Sequence, residues 1–471
     1  MNDEIEKIKT VYFIGIGGIG MSALARFFRS AGAQVSGYDR AETSLTRELQ
    51  DEGISVHYDE NIELIPKNAD LIVYTPAIPP DHLELIFYQQ NGYRLAKRSD
   101  VLQMITESSF NICIAGTHGK TTTTTMIAHV LRDSGYGCNA FLGGISVNYG
   151  TNFWPQVPIA GPTDRSVCVV EADEYDRSFL KLSPDVAVVT AMDPDHLDIY
   201  GTAGAMEQAF IDFTAKLRSG GLLLSKFGLA RTTDLKAANH LTYSLQNESA
   251  DAYAENITMQ NGSYQFDVMI GDRKMEKLLL HMGGMHNVEN AVAAITVASS
   301  LEIENEKIKA AIESFAGVKR RFEYIIKSQR IVFIDDYAHH PEELRALIQG
   351  AKTLFSKKKC TIIFQPHLYT RTRDLADGFA EVLDLADEII LLPIYPAREL
   401  PIDGISSKLI MRKMKNENKK MMTRDELMKW ISSNYAADMN TEFGEVLITA
   451  GAGDIDVMVE PIKKLLEKYI T

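Results

Sequence analysis

Short apolar runs alternate with amphipathic stretches along most of the chain, a pattern typical of buried strands connected by helices. In the first hundred residues, the pattern predicts strands at Val11–Ile16, Gln34–Tyr38 and Leu71–Tyr74, and helices at Met21–Ala31 and Arg98–Glu107. Strands that alternate with helices can pair in parallel, because each helix returns the chain to the start of the next strand. The pattern therefore predicts an α/β protein with mainly parallel sheets.

The alternation divides the chain into three sections, each of which opens with a strand-like run. Further strands are predicted at Ser166–Val170, Val186–Thr190, Ile331–Ile334, Cys360–Phe364, Glu388–Leu392 and Glu445–Thr449. A chain of 471 residues is expected to form two to four domains of about 100–200 residues each. We expect three, at 1–107, 108–318 and 319–471. Only Tyr243–Met282 mixes strand-like runs with turns and predicts no clear element.

Composition narrows the function classes. Lys and Arg number 49 against 63 Asp and Glu, a formal net charge of −14, which argues against nucleic acid or an anionic membrane as the main partner. The four cysteines are far apart and show no CxxC pairing, so we expect buried reduced thiols without disulfides or zinc. No signal-peptide-like or membrane-spanning run is visible, so we expect a cytoplasmic protein without a membrane partner.

The stretch Ile112–Thr122, ICIAGTHGKTT, carries the strongest chemical signal. Its order is that of a buried strand, a glycine turn and a helix N-terminus, where backbone N–H groups and the helix dipole favour an anion. A lysine in such a turn can bind phosphates, and a hydroxyl beside it can bind Mg²⁺. Ile114 departs from G-x-x-x-x-G-K-[ST], because it stands at the first glycine position. We interpret the stretch as a nucleoside triphosphate site formed by Gly116, Thr117, His118, Gly119, Lys120, Thr121 and Thr122.

A second glycine turn, GIGGIG at Gly15–Gly20, follows the first predicted strand. Asp39 lies 19 residues beyond Gly20, close to the spacing of about 20 residues at which an acid binds ribose in dinucleotide sites. A sugar nucleotide can place its diphosphate at the same helix N-terminus. The motif alone leaves both ligands open.

Polar residues follow predicted strands at the ends where open α/β sheets bind ligands. Glu171 ends one strand and His196 lies just beyond another, so with Thr121 they can converge on a metal held by phosphates. Mg²⁺ takes one or two carboxylates together with phosphates and waters, whereas an imidazole ligand suits Mn²⁺.

Two clusters follow strands of the third section, DDYAHHP from Asp335 and QPHLYTRTR from Gln365. Polar, aromatic and basic residues in such loops indicate binding more than packing. Arg371 and Arg373 can bind a carboxylate or phosphate. Basic residues also stand at the junction of the second and third sections, where they can clamp a phosphate when domains close.

In chain order, the motifs GIGGIGMSALA, AGTHGKTTTT, EADEYD, DPDHLD, HNVENAVAA, RRFE, DDYAHHP and FQPHLYTRTRD resemble those of the Mur ligases, the ATP-dependent amide-forming enzymes of peptidoglycan precursor synthesis. The resemblance covers nearly the whole chain. It implies a Rossmann-like N-terminal domain that binds the UDP part of a sugar nucleotide, a central P-loop ATPase-type domain, and a Rossmann-like C-terminal α/β domain that closes on ATP and the amino acid.

Within the family, the motifs are most similar to the members that join L-alanine to the lactyl carboxylate of UDP-N-acetylmuramate, releasing ADP and phosphate. The resemblance implies an acyl-phosphate intermediate, with ATP and Mg²⁺ required. The nearest rival function is that of the murein tripeptide recycling ligase of the same fold, because EADEYD also resembles that enzyme. A nicotinamide-dependent oxidoreductase and a non-catalytic nucleotide-binding scaffold also stay open, and the oxidoreductase leaves Lys120 and Glu171 unexplained.

The resemblance also implies individual roles. Its catalytic residues are Lys120, Glu171 and His196, and its metal ligands are Thr121, Glu171 and His196. Besides the first glycine turn, its ATP-binding residues are His286, Asn287, Asn290, Arg321 and Asp336. Its UDP-sugar residues are Gly15, Gly17, Gly18, Ile19, Gly20, Asp39, Thr75, His118 and Glu174. Its amino-acid-binding residues are Tyr337, His339, His367 and Arg371.

Two expectations follow from these assignments. Leu368 departs from the family pattern, because some members carry a basic residue there, so the alanine carboxylate contact depends on Arg371 alone. Lys120→Ala is expected to abolish ligation and leave the fold intact, since one surface loop charge contributes little to stability.

Overall fold

The computed structural model describes residues 3–157, 165–175, 177–194, 197–260, 262–397, 399–435, 439–440 and 442–470. Within these ranges, three sheets with connecting helices carry the fold, and the predicted α/β class with mainly parallel sheets is confirmed. The chain packs as two compact units, one of residues 1–256, 266–278 and 288–315 and the other of residues 257–265, 279–287 and 316–471.

The first sheet is formed by β1 (Thr10–Ile14), β2 (Gln34–Tyr38), β3 (Ser55–His57), β4 (Leu71–Tyr74) and β5 (Leu95–Lys97). Its order is β3-β2-β1-β4-β5, with every pair parallel. Its helices are α1 (Asp3–Glu6), α2 (Ile19–Ser30), α3 (Ser44–Asp51), α4 (Leu83–Gln90) and α5 (Arg98–Thr106). The central β1 is buried at every position, which explains its nearly continuous apolar sequence.

The second sheet is formed by β6 (Phe110–Ala115), β7 (Asn139–Phe141), β8 (Phe153–Trp154), β9 (Val167–Glu171), β10 (Val186–Val189), β11 (Leu222–Lys226), β12 (Asn239–Ser244), β13 (Ala252–Gln260), β14 (Ser263–Ile270) and β15 (Arg273–Leu280). Its order is β15-β14-β13-β12-β11-β10-β6-β9-β7-β8. The parallel pairing of β6 with β9 and β10 brings their carboxyl ends together. Its helices are α6 (Lys120–Asp133), α7 (Leu197–Tyr200), α8 (Ala203–Thr214), α9 (Met285–Ser300) and α10 (Asn305–Ser314).

The third sheet is formed by β16 (Glu323–Lys327), β17 (Ile331–Asp336), β18 (Lys359–Phe364), β19 (Glu388–Leu391), β20 (Lys419–Met421) and β21 (Glu445–Ala450). Its order is β16-β17-β21-β18-β19-β20, and every pair is parallel except β16 with β17. Its helices are α11 (Pro341–Leu354), α12 (Tyr369–Asp374), α13 (Ala376–Leu383), α14 (Ser407–Lys413), α15 (Arg424–Trp430) and α16 (Val459–Leu466).

The stretch Tyr243–Met282, for which the sequence predicts no clear element, contains the long strands β13, β14 and β15. These strands form one edge of the second sheet. Several positions of β15 that face away from the core are charged and exposed, so the apolar alternation that marks a strand is interrupted.

The prediction of buried reduced thiols is confirmed. Cys113, Cys138, Cys168 and Cys360 are buried free thiols. Burial raises the pKa of Cys168 to about 11 and that of Cys360 to about 12, so both stay protonated and unreactive near neutral pH. Across the described parts of the chain, no helix is both long and apolar enough to cross a membrane.

Candidate functional site

The first glycine turn joins the buried strand β6 to the 14-residue helix α6, as the sequence predicts. Gly116 has φ +142°, and a Cβ there would lie 2.1 Å from the Thr190 Oγ1, so only glycine fits. Gly119 has φ +81° and caps α6, and a Cβ there would lie 3.0 Å from the Asn290 Oδ1. The turn therefore directs backbone N–H groups and the positive end of the α6 dipole to one place, an anion site.

The strand β10 fixes this turn from the side. The Thr190 hydroxyl donates to the His118 carbonyl over 2.5 Å, and the Thr117 amide donates to the Ala191 carbonyl over 3.2 Å. Thr190 directly follows β10, which pairs with β6. The turn is thus held in one conformation before any ligand contacts it, which lowers the entropy cost of binding.

Lys120 is the first residue of α6 and is largely buried, with its side chain 14% exposed. Its Nζ donates to the Gly116 carbonyl over 2.5 Å and to the Glu174 Oε1 over 2.8 Å. The Glu174 side chain is 1% exposed. The expectation of a surface loop charge is therefore wrong, because the ammonium is neutralised inside the turn by a buried carboxylate.

Thr121, the residue after Lys120, contacts Glu171. The Thr121 hydroxyl donates to the Glu171 Oε1 over 3.0 Å, and the Gly143 amide donates to the Glu171 Oε2 over 3.0 Å. A Cβ at Gly143 would lie 2.3 Å from the Glu171 Oε2, so the carboxylate depends on this glycine for its position. A hydroxyl and a carboxylate are hard oxygen donors of the kind that Mg²⁺ prefers.

The third predicted metal ligand, His196, lies outside the described residues. Among the residues that the structure describes, no group of three or more His, Cys, Asp or Glu is arranged to hold a metal ion. The described part of the predicted metal site therefore consists of Thr121 and Glu171.

The second glycine turn leads from β1 into α2, for which Gly18 is the capping residue. The Asp39 Oδ2 accepts the Gly17 amide proton over 2.7 Å, so this acid supports the turn itself. Gly15 has φ +89°, and a Cβ there would lie 2.9 Å from the Thr75 Cγ2. A Cβ at Gly20 would lie 2.5 Å from the Arg98 Nη1. Sequence reasoning attributed these glycines to a diphosphate, but protein neighbours also require them.

A cavity of about 100 Å³ lies between this second turn and Glu171, and both line it. Arg98, Glu171 and Asp173 supply its polar side chains. Its apolar side chains are those of Ile19, Ala23, Leu24, Leu102, Phe141, Leu142 and Val170. The cavity therefore connects the two regions that the sequence predicts for the sugar nucleotide and for the metal.

In the other unit, Asp336 ends β17 and accepts the amide protons of Phe322 over 2.6 Å and Ala338 over 2.7 Å. Burial raises the pKa of Asp336 to about 6, although these amides and the Arg321 guanidinium oppose the shift. The neighbouring Asp335 accepts from the Arg320 Nε over 3.2 Å. Two adjacent acids and two adjacent cations thus stand where the third section begins.

His286 and Asn287 belong to the same unit as Asp336, whereas Asn290 belongs to the unit of Lys120. The Asn287 Nδ2 donates to the Gly283 carbonyl over 2.6 Å. Asn290 lies beside the first glycine turn, where its Oδ1 would be 3.0 Å from a Cβ at Gly119.

The four predicted amino-acid residues come together after β17 and β18. The Tyr337 and His339 ring centroids are 5.2 Å apart, and those of His339 and His367 are 6.4 Å apart. The Arg371 Nη1 lies 3.5 Å from the His367 Nδ1. Sequence reasoning missed Tyr395, whose ring stacks on His367 at 5.8 Å.

Both histidines of this cluster are held in the neutral form. Burial lowers the pKa of His367 to about 4, helped by the charge of Arg371. Burial also lowers the pKa of His339, although Glu343 opposes the shift. The His339 Nδ1 lies 2.9 Å from the Tyr337 carbonyl, to which it can only donate, so Nε2 is the nitrogen that can accept a proton. Leu368 has φ +68°, a conformation that strains a branched residue between His367 and α12.

Family models match three consecutive parts of the chain. They describe the Mur ligase family, catalytic domain, at 10–109, the Mur ligase middle domain at 114–298, and the Mur ligase, glutamate ligase domain, at 320–453. The chain belongs to the Mur ligase family. The resemblance predicted from the ordered motifs is therefore confirmed.

Curated relatives match this Mur ligase over nearly its whole length. The UDP-N-acetylmuramate–L-alanine ligase of Cytophaga hutchinsonii is 45% identical over 470 residues, covering 98% of this chain and 97% of its own. The ligase of the same name from Phocaeicola vulgatus is 46% identical, covering 99% of this chain and 100% of its own.

Solved structures agree with the fold of this Mur ligase. The UDP-N-acetylmuramate-alanine ligase of Thermotoga maritima superimposes with a TM-score of 0.80 at 28% identity, covering 98% of this chain and 99% of its own. A murein peptide ligase of Psychrobacter arcticus superimposes with a TM-score of 0.67 at 23% identity, covering 98% of each chain, which shows a shared fold.

Proposed function

We propose that this Mur ligase joins L-alanine to the lactyl carboxylate of UDP-N-acetylmuramate, converting ATP to ADP and phosphate. The observation that carries the proposal is the pair of contacts made by the first two residues of α6, Lys120 with Glu174 and Thr121 with Glu171. It occurs in a chain whose relatives, matched over 97% and 100% of their own lengths, are named for this reaction. The proposal includes domains at 1–107, 108–318 and 319–471 and a cytoplasmic location.

In this proposal, ATP binds with its phosphates at the N-terminus of α6. The amides of the turn and the Lys120 ammonium provide positive charge where phosphoryl transfer develops negative charge. Asn290, beside Gly119, is placed for the nucleotide side of this site. From the other unit, His286, Asn287, Arg321 and Asp336 are assigned to ATP by the family pattern.

Thr121 and Glu171 fit Mg²⁺, because their oxygens already converge within 3.0 Å of each other. His196 completes the proposed ligand set, and its imidazole makes Mn²⁺ an acceptable substitute. When bound, the metal would offset charge on the phosphates. Gly143 contributes by holding the Glu171 carboxylate towards Thr121.

The acid substrate is proposed to place its diphosphate at the second glycine turn and its lactyl carboxylate towards Glu171. An oxygen of that carboxylate attacks the γ-phosphorus, and the bond to the β–γ bridging oxygen breaks, so ADP leaves. The acyl phosphate then has a leaving group that the free carboxylate lacks. His118 and Glu174, assigned to this substrate by the family pattern, lie at the first glycine turn, between the two substrates.

The amino acid is proposed to bind at Tyr337, His339, His367 and Arg371. The Arg371 guanidinium suits the alanine carboxylate. The neutral His339 Nε2 can accept a proton from the ammonium, and the free amine then attacks the acyl carbon while phosphate leaves. Holding three substrates in line supplies much of the rate through proximity.

The test is phosphate release from ATP in the presence of UDP-N-acetylmuramate and an amine acceptor. We expect turnover with L-alanine, none without the sugar nucleotide, and loss of turnover in Lys120→Ala. Turnover with the murein tripeptide and not with L-alanine would assign the chain to the recycling reaction instead. Tight NADH binding without ATP hydrolysis would contradict the ligase altogether.

A further inference from the structure

Arg98, the first residue of α5, is held at a defined place beside the cavity that separates the second glycine turn from Glu171. Its Nη2 donates to the Asp173 Oδ2 over 3.2 Å, which ties α5 to the loop after β9. Its Nη1 lies against Gly20, where a Cβ would approach to 2.5 Å. The guanidinium therefore spans the space between the start of α2 and the loop that follows Glu171.

The charges that line the cavity indicate a role for Arg98. Glu171 and Asp173 contribute negative charge, and among the described lining residues Arg98 is the one that carries positive charge. An anion that enters a cavity with two carboxylates needs a cation to compensate it. Most of the remaining lining is apolar, with side chains such as Leu102 and Phe141, which excludes water and strengthens a charged contact.

Stability does not account for the Arg98–Asp173 pair. Their side chains are 24% and 40% exposed, and pairs with this degree of exposure contribute little to folding. The neighbouring bridge from Lys181 to Asp100 already joins α5 to the segment after β9. A second ion pair between α5 and this segment adds little to holding them together. Of Arg98 and Lys181, Arg98 is the one that lines the cavity.

We infer that Arg98 binds an anionic oxygen of the acid substrate inside this cavity, and that Asp173 is the positioning residue that aims its guanidinium. The inference rests on the proposed function for the identity of the substrate. Gly20 leaves room for the guanidinium. The ligand chemistry is an oxyanion, supplied either by the diphosphate or by the lactyl carboxylate.

The experiment compares Arg98→Gln, Arg98→Lys and Asp173→Asn with Lys181→Gln as the matched control. Calorimetric titration measures the Kd for UDP, UDP-N-acetylglucosamine and UDP-N-acetylmuramate, and steady-state kinetics measure KM for each substrate. Arg98→Gln is expected to weaken UDP-N-acetylmuramate binding about 10- to 100-fold, the size of a lost charged hydrogen bond. Arg98→Lys recovers part of the loss, because lysine keeps the charge and loses the planar fork.

The other readouts separate binding from structure. In Arg98→Gln, KM for ATP and the melting temperature should stay near the wild-type values. Asp173→Asn should raise KM for the sugar nucleotide by less than Arg98→Gln does. Lys181→Gln should leave both KM values and the melting temperature unchanged. A loss shared by all three UDP ligands identifies the diphosphate, and a loss confined to UDP-N-acetylmuramate identifies the carboxylate. Unchanged binding in Arg98→Gln, or an equal loss in Lys181→Gln, overturns the inference.

The titration needs no turnover, so the two proposals fail separately. Wild type that binds UDP-N-acetylmuramate and does not ligate L-alanine contradicts the proposed function, while the Arg98 variants still test the contact. Wild type that ligates L-alanine, with Arg98→Gln binding as tightly, contradicts the Arg98 inference only. Wild type that binds none of the UDP ligands contradicts both.

Discussion

Lys120→Ala is expected to destabilise the protein as well as abolish ligation, because Lys120 forms a buried ion pair. Its Nζ lies 2.8 Å from the Glu174 Oε1, and the two side chains are 14% and 1% exposed. Alanine removes the ammonium and leaves the carboxylate in the same enclosed place. The sequence alone predicts the opposite, an intact fold, since a lysine in a loop is usually a solvated charge.

The size of the effect follows from the burial of Glu174. Removing one member of a buried ion pair costs about 3–5 kcal/mol, because the remaining charge keeps its desolvation penalty. Each kcal/mol shifts the melting temperature of a domain of 150–250 residues by about 2–4 °C. Lys120→Ala should therefore lower the transition that reports on the central sheet by roughly 6–20 °C.

A double-mutant cycle with Glu174→Gln isolates this pair. Calorimetry on the wild type, both single variants and the double variant should show that Glu174→Gln restores most of the stability lost in Lys120→Ala. Lys181→Ala is the matched control, because its pair with Asp100 has side chains 38% and 43% exposed and should contribute less than about 1 kcal/mol. Melting of Lys120→Ala within a degree of the wild type, with no coupling in the cycle, refutes the reasoning.

Three further predictions concern the other parts of the site. Gly143→Ala should reduce ligation at least about tenfold, since its Cβ would lie 2.3 Å from an oxygen of the predicted metal ligand, whereas Gly204→Ala, with nothing within 4 Å, should leave ligation unchanged. Asp336 has its pKa raised from 3.8 to about 6 in the folded protein, so the folded state binds the extra proton and stability should fall as pH rises from about 4 to about 6. Asp336→Asn should remove this dependence of stability on pH, which amounts to at most about 3 kcal/mol. Urea unfolding at both pH values measures the dependence, and finding it unchanged in the variant contradicts the assignment. Arg371→Gln should raise the pKa of His367 from about 4 and increase KM for L-alanine, and an imidazole resonance that titrates as in the wild type would exclude the charge contact.

Much of the fold could be predicted because the central strands are buried on both faces. β6 is buried at residues 111–115, and residues 112–115 form a continuous apolar run that a glycine turn ends sharply. β3 and β5 have three residues each and are only partly buried, too short for a periodic signal. β15 escaped prediction because its exposed positions are charged, and β13 did so because its last residues, 258–260, are all exposed and break the alternation.

Some residues of the candidate site could be predicted from the sequence and others could not. Residues that directly end a strand, such as Glu171 and Asp336, could be found, because strand ends are where open α/β sheets bind ligands. The roles of Thr190, Gly143 and Arg98 could not, since they depend on which strands and helices are neighbours. No local pattern shows that β10 lies beside β6, or that α5 reaches the loop after β9.

The ammonium at the start of α6 already has a counter-ion of its own, the Glu174 carboxylate. A phosphate that pairs with this ammonium must displace the Glu174 carboxylate, so singly charged anions such as chloride or acetate gain little by binding there. A polyphosphate, which also engages the turn amides, can outweigh the exchange. In the proposed function, the buried Glu174 carboxylate therefore favours binding of a polyphosphate over binding of small, singly charged anions.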